Sequence, residues 1–114
     1  MDEVVRKVAA LGLPGIVLLV TMASTGLVGA AAITAALAAL GPAGMLGGIA
    51  LLGVVGIAGD ALSKFGLEAI LSEVYLERRR QGASIEGLHR EINQLWVSND
   101  LKRLLREVVS RGHR

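Results

Sequence analysis

Few residues in this chain of 114 have the type and spacing that catalysis or metal binding requires. The sequence has no cysteine, so a thiol nucleophile, a zinc–thiolate site and a disulfide are all excluded. His89 and His113 lack companions at metal-ligand spacing, and His89 is predicted to be an exposed helix residue. Asp60 and Glu68 could form a carboxylate pair, but Lys64 lies four residues from each, which predicts a surface ion-pair ladder instead. We therefore expect no enzymatic activity and no cofactor.

Charge is distributed very unevenly along the chain. Residues 8–59 contain no charged side chain, whereas residues 60–114 contain eight acidic and ten basic ones. The formal net charge is only +2, which provides little attraction for nucleic acid, so no nucleic-acid partner is expected. The hydrophobic fraction is 53%, and soluble domains have roughly 45–50%. These features predict a hydrophobic membrane-active or self-association segment at 1–59 and a charged amphipathic helical region at 60–114.

The spacing of apolar residues predicts helices throughout and no strand. Pro14 suits the first turn of a helix, and Ser84 and Ser98 suit the position just before one. The predicted helices cover residues 2–12, 16–23, 26–40, 45–80 and 85–96, with a turn at 41–44. A last helix follows the cap at 98–100 and carries its apolar stripe within residues 101–108. The predicted fold is all-α: a Gly/Ala-rich hydrophobic helical hairpin or cluster, a long amphipathic helix, and a short C-terminal helical pair.

Small residues recur along one side of the third apolar helix, at spacings of three, four and three from residue 56 to residue 66. A separate GxxxG pattern lies at residues 44–48. Small side chains allow two helix backbones to approach closely, particularly in lipid. The predicted helix-packing residues are Gly44, Gly48, Gly56, Gly59, Ser63 and Gly66.

The apolar helices are too short to be ordinary membrane spans. Residues 8–23 and 26–40 supply 16 and 15 apolar positions, and a span needs about 20. Their ends also lack the Trp and Tyr belts typical of membrane interfaces. We expect a conditional inserter or self-packing hairpin located at a membrane, with the inner or cytoplasmic membrane as the first expectation and the cytoplasm as the alternative. Asp2 and Glu3 before Arg6 and Lys7 argue against a cleaved signal peptide.

The basic residues of the C-terminal half have two interpretations. They could contact anionic headgroups or a protein partner, which would bind through residues 84–111. Alternatively, they form a solvated face, since glutamates are interleaved with them. Trp96 is expected to anchor the C-terminal pair in the core, with a membrane interface as the alternative. The predicted lipid or partner surface comprises Arg78, Arg79, Arg80, Lys102, Arg103 and Arg106.

Residues 25–50 and 61–66 resemble the small interferon-alpha-inducible membrane proteins, which carry Gly/Ala-rich hydrophobic helices. The same region is similar, more loosely, to the hydrophobic hairpins of pore-forming colicins and apolipoprotein-L-like proteins. The resemblance implies action at membranes, with links to cell death. We therefore predict a small membrane-active, self-associating protein, with a pore-forming or membrane-disrupting defence effector as its sharpest form. The alternative is a soluble homo-oligomeric scaffold whose apolar helices are buried between subunits.

Overall fold

A computed structural model describes residues 1–26 and 48–111, and the fold within those ranges is entirely helical. The predicted all-α class is therefore confirmed. The predicted helix at 26–40, the turn at 41–44 and His113 lie outside the described residues, apart from Gly26. The helices are α1 (Asp2–Leu11), α2 (Leu13–Thr25), α3 (Gly48–Phe65), α4 (Leu67–Arg80), α5 (Ile85–Gln94) and α6 (Asn99–Arg111).

A tight corner joins α1 to α2. Gly12 has a φ of 71°, and its N–H donates to the carbonyl oxygen of Val8 at 3.0 Å, which ends α1. Pro14 follows within the first turn of α2, as predicted, because an N–H there has no partner inside the helix. A Cβ on Gly15 would lie 3.1 Å from the Cβ of Leu11, which is tighter than an ordinary contact, so the missing side chain allows α1 and α2 to approach closely at this corner.

Helix α2 is apolar on most of its surface and lies within the folded unit. It contacts α1, α3 and α4, and it buries Ile16, Leu18 and Leu19 completely. It ends at Gly26, whose φ of 73° is left-handed, at the predicted break. The first third of the charge-free stretch is therefore part of a protein core.

The predicted continuous helix at 45–80 is wrong, because the chain breaks at Gly66. This residue has φ 84° and ψ 159°, a conformation that essentially only glycine adopts. Its N–H still donates to the carbonyl oxygen of Leu62 at 3.0 Å, which completes α3. Both halves pack on α1 and α2 and also contact each other, and the break directs α4 onto α6 as well.

The C-terminal helices follow a turn at Gly82, where φ is 99°. The N–H of Gly87 donates to Ser84 Oγ and that of Leu101 to Ser98 Oγ, both at 3.1 Å, so both predicted caps are confirmed. Helix α6 packs on α4 and α5. One core draws on all six helices and includes Val4, Val8, Ile16, Leu19, Val54, Ala58, Ile70, Tyr75, Leu88, Ile92, Leu105 and Val109.

Candidate functional site

An ion pair connects the C-terminal end of α4 to the second half of α5. Arg78 Nη1 on α4 donates to Glu91 Oε2 on α5. The two side chains are only 20% and 12% exposed. Partial burial removes much of the water that would screen the pair. Loss of either side chain would therefore leave the other charge poorly solvated and without a counterion. This contact ties the C-terminal hairpin to the rest of the core.

Tyr75 lies one helical turn before Arg78 and is fully buried. The Cζ atom of Arg78 is 5.8 Å from the centre of the tyrosine ring. Burial of the phenol, and then the negative charge of Glu91, raise the pKa of Tyr75 far above its usual range, while Arg78 acts in the opposite direction. The Tyr75 hydroxyl is therefore neutral at physiological pH, and it has no hydrogen-bond partner among the described residues.

Two adjoining cavities lie between α2 and α5, and both are bordered by Leu13, Glu91 and Gln94. The first has a volume of about 220 Å³ and an apolar wall formed by Val17 and Val20. The second has a volume of about 440 Å³ and lies beside the start of α5. We call the two cavities together the α2–α5 groove.

Trp96 stands at the rim of the α2–α5 groove and is 76% exposed, so its predicted role as a core anchor is wrong. Helix α5 ends at Gln94, two residues earlier than predicted. Leu95 then adopts an extended conformation, with φ −70° and ψ 147°, and is buried in place of Trp96. The change in backbone geometry places the indole outside.

The predicted small-residue stripe is mostly open within the described part of the chain. Gly56 and Ser63 are exposed, and a Cβ on Gly56 would meet no atom within 4 Å. A Cβ on Gly59 would lie 3.7 Å from Met22 Cε, an ordinary contact between α3 and α2. Gly66 ends the stripe with the helix break, Gly48 begins α3, and Gly44 lies outside the described residues. A close contact between helices through this stripe stays a prediction.

The six basic residues predicted as a lipid or partner surface all make contacts within the chain. Three of them pair with carboxylates: Arg78 with Glu91, Arg80 with Glu77 at 2.6 Å, and Arg103 with Asp100 at 3.6 Å. The other three donate to neutral oxygens. These bonds are Arg79 Nη1 to Ala83 O at 3.3 Å, Lys102 Nζ to Asn93 O at 2.9 Å, and Arg106 Nη1 to Asn93 Oδ1 at 2.7 Å. Their role toward lipid or a partner stays a prediction.

Two predictions about polar side chains need correction, one for His89 and one for Glu68. His89 is half-buried rather than exposed, with Nε2 at 3.2 Å from both the Arg106 carbonyl oxygen and Ser110 Oγ, so it joins α5 to α6. The Asp60–Lys64 ion pair is confirmed at 3.2 Å. Glu68 lies beyond the break at Gly66, so the predicted ladder ends at Lys64.

Sequence reasoning missed the Arg78–Glu91 pair, the burial of Tyr75 and the α2–α5 groove. Within residues 1–26 and 48–111, no group of histidine and acidic side chains is placed to hold a metal ion. No helix in those ranges combines the length and apolar character needed to cross a bilayer. The chain matches no protein-family model, no curated protein and no solved structure.

Proposed function

We propose that this protein is a small membrane-active, self-associating helical protein whose folded unit carries residues 27–47 to lipid. The supporting observation is that the core already contains apolar residues of α1 and α2. Residues 27–47 have no charged side chain, and they join α2 and α3, two helices that pack against each other. The folded core already includes the apolar faces of α1 and α2, so residues 27–47 are the strongest remaining candidate for lipid contact.

The attachment of both ends favours a hairpin over a single crossing. A single crossing would place residues 26 and 48 on opposite sides of the bilayer, yet α2 and α3 are in contact. Gly41 and Pro42 provide a turn signal within the segment. The fifteen residues 26–40, predicted to be helical, would extend about 22 Å, which is less than the thickness of roughly 30 Å of the hydrocarbon core. A shallow hairpin at the inner or cytoplasmic membrane, stabilised by association through small residues, fits these lengths.

Vesicle flotation tests this proposal. The full chain should float with liposomes of mixed zwitterionic and anionic phospholipid. A variant in which a Gly/Ser linker of equal length replaces residues 27–47 should remain in the dense fraction while keeping its helical circular dichroism. Dye release from the same vesicles would separate membrane disruption, the pore-forming form of the proposal, from binding alone. If both proteins float equally, or neither does, the segment is not the lipid contact.

A soluble homo-oligomer is the second candidate, and it is favoured by the open side of α3. Gly56 and Ser63 are exposed there, and Phe65 is 44% exposed at the end of the same helix. Light scattering after size exclusion in detergent-free buffer would measure the mass. Gly56→Leu is the informative variant, because its side chain would enter open space and would not disturb the core. A stable oligomer that does not bind vesicles and dissociates on Gly56→Leu would favour the scaffold function over the membrane function.

A further inference from the structure

The α2–α5 groove has an apolar end and a polar end, which meet at shared residues. The apolar wall is formed by Val17, Val20 and Leu95, and Trp96 borders the same cavity. The polar end is bordered by Arg78, Ser84 and Arg90. The two volumes together lie within the roughly 300–1,000 Å³ typical of ligand sites.

The charges at the polar end leave one cation without a counterion. Arg78 is neutralised by Glu91, its partner across the two helices. Ser84 Oγ accepts the cap bond from Gly87, and Gln94 contributes a neutral amide. Arg90 is exposed, and in residues 1–26 and 48–111 no carboxylate lies within ion-pair distance of its guanidinium. The polar end therefore has an excess of one positive charge beside an apolar wall.

We propose that the α2–α5 groove binds a single amphiphile that has an unbranched apolar chain and an anionic headgroup. The chain lies along Val17 and Val20 beneath Trp96, where its burial removes apolar surface from water. The headgroup lies at the polar end beside Arg90, which attracts an anion and disfavours a cation. Leu13, which is 37% exposed, borders both cavities and marks the junction between chain and headgroup.

The chain contains its own probe for this site, because Trp96 is the only tryptophan. Dodecanoate, used below its micellar concentration and without vesicles, should bind saturably by isothermal titration calorimetry. The same titration should shift the fluorescence of Trp96 to shorter wavelength, since the indole leaves water. Acetate, which lacks the chain, should give no shift, and dodecyltrimethylammonium should bind at least fivefold more weakly, as expected for an exposed charge contact.

Two variants test the headgroup position, with one matched control. Arg90→Gln should weaken dodecanoate binding roughly fivefold. Arg6→Gln, which removes another exposed arginine on α1, should leave it unchanged. Leu13→Glu should weaken binding more than Arg90→Gln does, because it removes an apolar side chain and places an anion at the junction, while the first turn of α2 tolerates an acidic residue.

Three results would overturn the proposal: equal affinity for the anionic and cationic detergents, binding without a Trp96 shift, or unchanged binding by Arg90→Gln. Binding in the α2–α5 groove is independent of the membrane function proposed above. The Gly/Ser linker variant, which lacks residues 27–47, should still bind dodecanoate. Failure of vesicle flotation and failure of the groove are therefore separate outcomes.

Discussion

Replacing Glu91 by Gln should destabilise the fold more than any change to an exposed ion pair. The substitution keeps the shape of the side chain and an oxygen that can accept from Arg78 Nη1, but it removes the counterion. The guanidinium of Arg78 is then left 20% exposed and without a carboxylate partner. The helical hairpin of α5 and α6 loses its charged link to α4.

The expected magnitude follows from the burial of the pair. Removing one partner of a fully buried pair costs about 3–5 kcal/mol, whereas exposed pairs contribute about 0.2–1 kcal/mol. Because the two side chains are 20% and 12% exposed, and Gln retains an acceptor, we expect Glu91→Gln to lower the free energy of unfolding by roughly 2 kcal/mol. Lys64→Gln, which breaks a pair exposed by about two thirds, should cost under about 0.5 kcal/mol.

Urea denaturation followed by circular dichroism measures both changes as two-state free energies of unfolding. A double-mutant cycle with Arg78→Met separates the interaction from the individual substitutions. The double variant should be more stable than the sum of the single effects predicts, by about 1 kcal/mol or more. A Glu91→Gln variant as stable as Lys64→Gln, or a coupling energy near zero, would show that water screens the pair and would refute this reasoning.

Three further substitutions test other contacts by the same denaturation assay. Gly66→Ala should cost about 1–3 kcal/mol, because φ 84° and ψ 159° are unfavourable for any side chain; an unchanged or higher stability would mean that α3 and α4 can join. Tyr75→Phe should be neutral or stabilising by about 1 kcal/mol, since it removes a buried hydroxyl without a partner. Because burial raises the pKa of Tyr75 in the folded state, the contribution of this residue to stability is constant below the ordinary value of 10.0 and falls above 10.0, where the unfolded state loses the proton. Tyr75→Phe should remove that alkaline decline in the free energy of unfolding. A pH profile identical to that of the unchanged protein would contradict the burial of the phenol. Ser84→Ala should cost about 1 kcal/mol through loss of the bond from Gly87, and no loss would mean that water replaces the cap.

The elements predicted well from sequence are those determined by neighbouring residues. The apolar positions of α1 lie on one helical face, and Val4, Val5 and Val8 are buried as that spacing predicts. Ser84 also acts locally, because its hydroxyl reaches an N–H three residues ahead. Pairs and caps within one turn of a helix need no knowledge of tertiary structure.

The errors arose where tertiary packing decides between two locally acceptable conformations. The apolar pattern around Gly66 is compatible with a continuous helix, but the chain breaks there, and α4 packs on α6 as well as on α1 and α2. Leu95 and Trp96 are both large and apolar, so the sequence does not distinguish which one is buried. The Arg78–Glu91 pair joins residues 13 apart across a turn, and their approach depends on how α5 folds back on α4.

The location of the apolar residues also bears on how lipid binding would work. Because α1 and α2 contribute Val8, Ile16 and Leu19 to the core, residues 8–23 would have to leave that core before they could enter lipid. Under the proposed membrane function, the insertion energy would come from residues 27–47. That sequence is rich in Ala and Gly, whose small apolar area contributes little at about 25 cal/mol per Å². Small side chains instead favour close helix contacts. Under the proposed membrane function, insertion of one copy would therefore be weak and association between copies would contribute more stability, so membrane binding would be coupled to self-association.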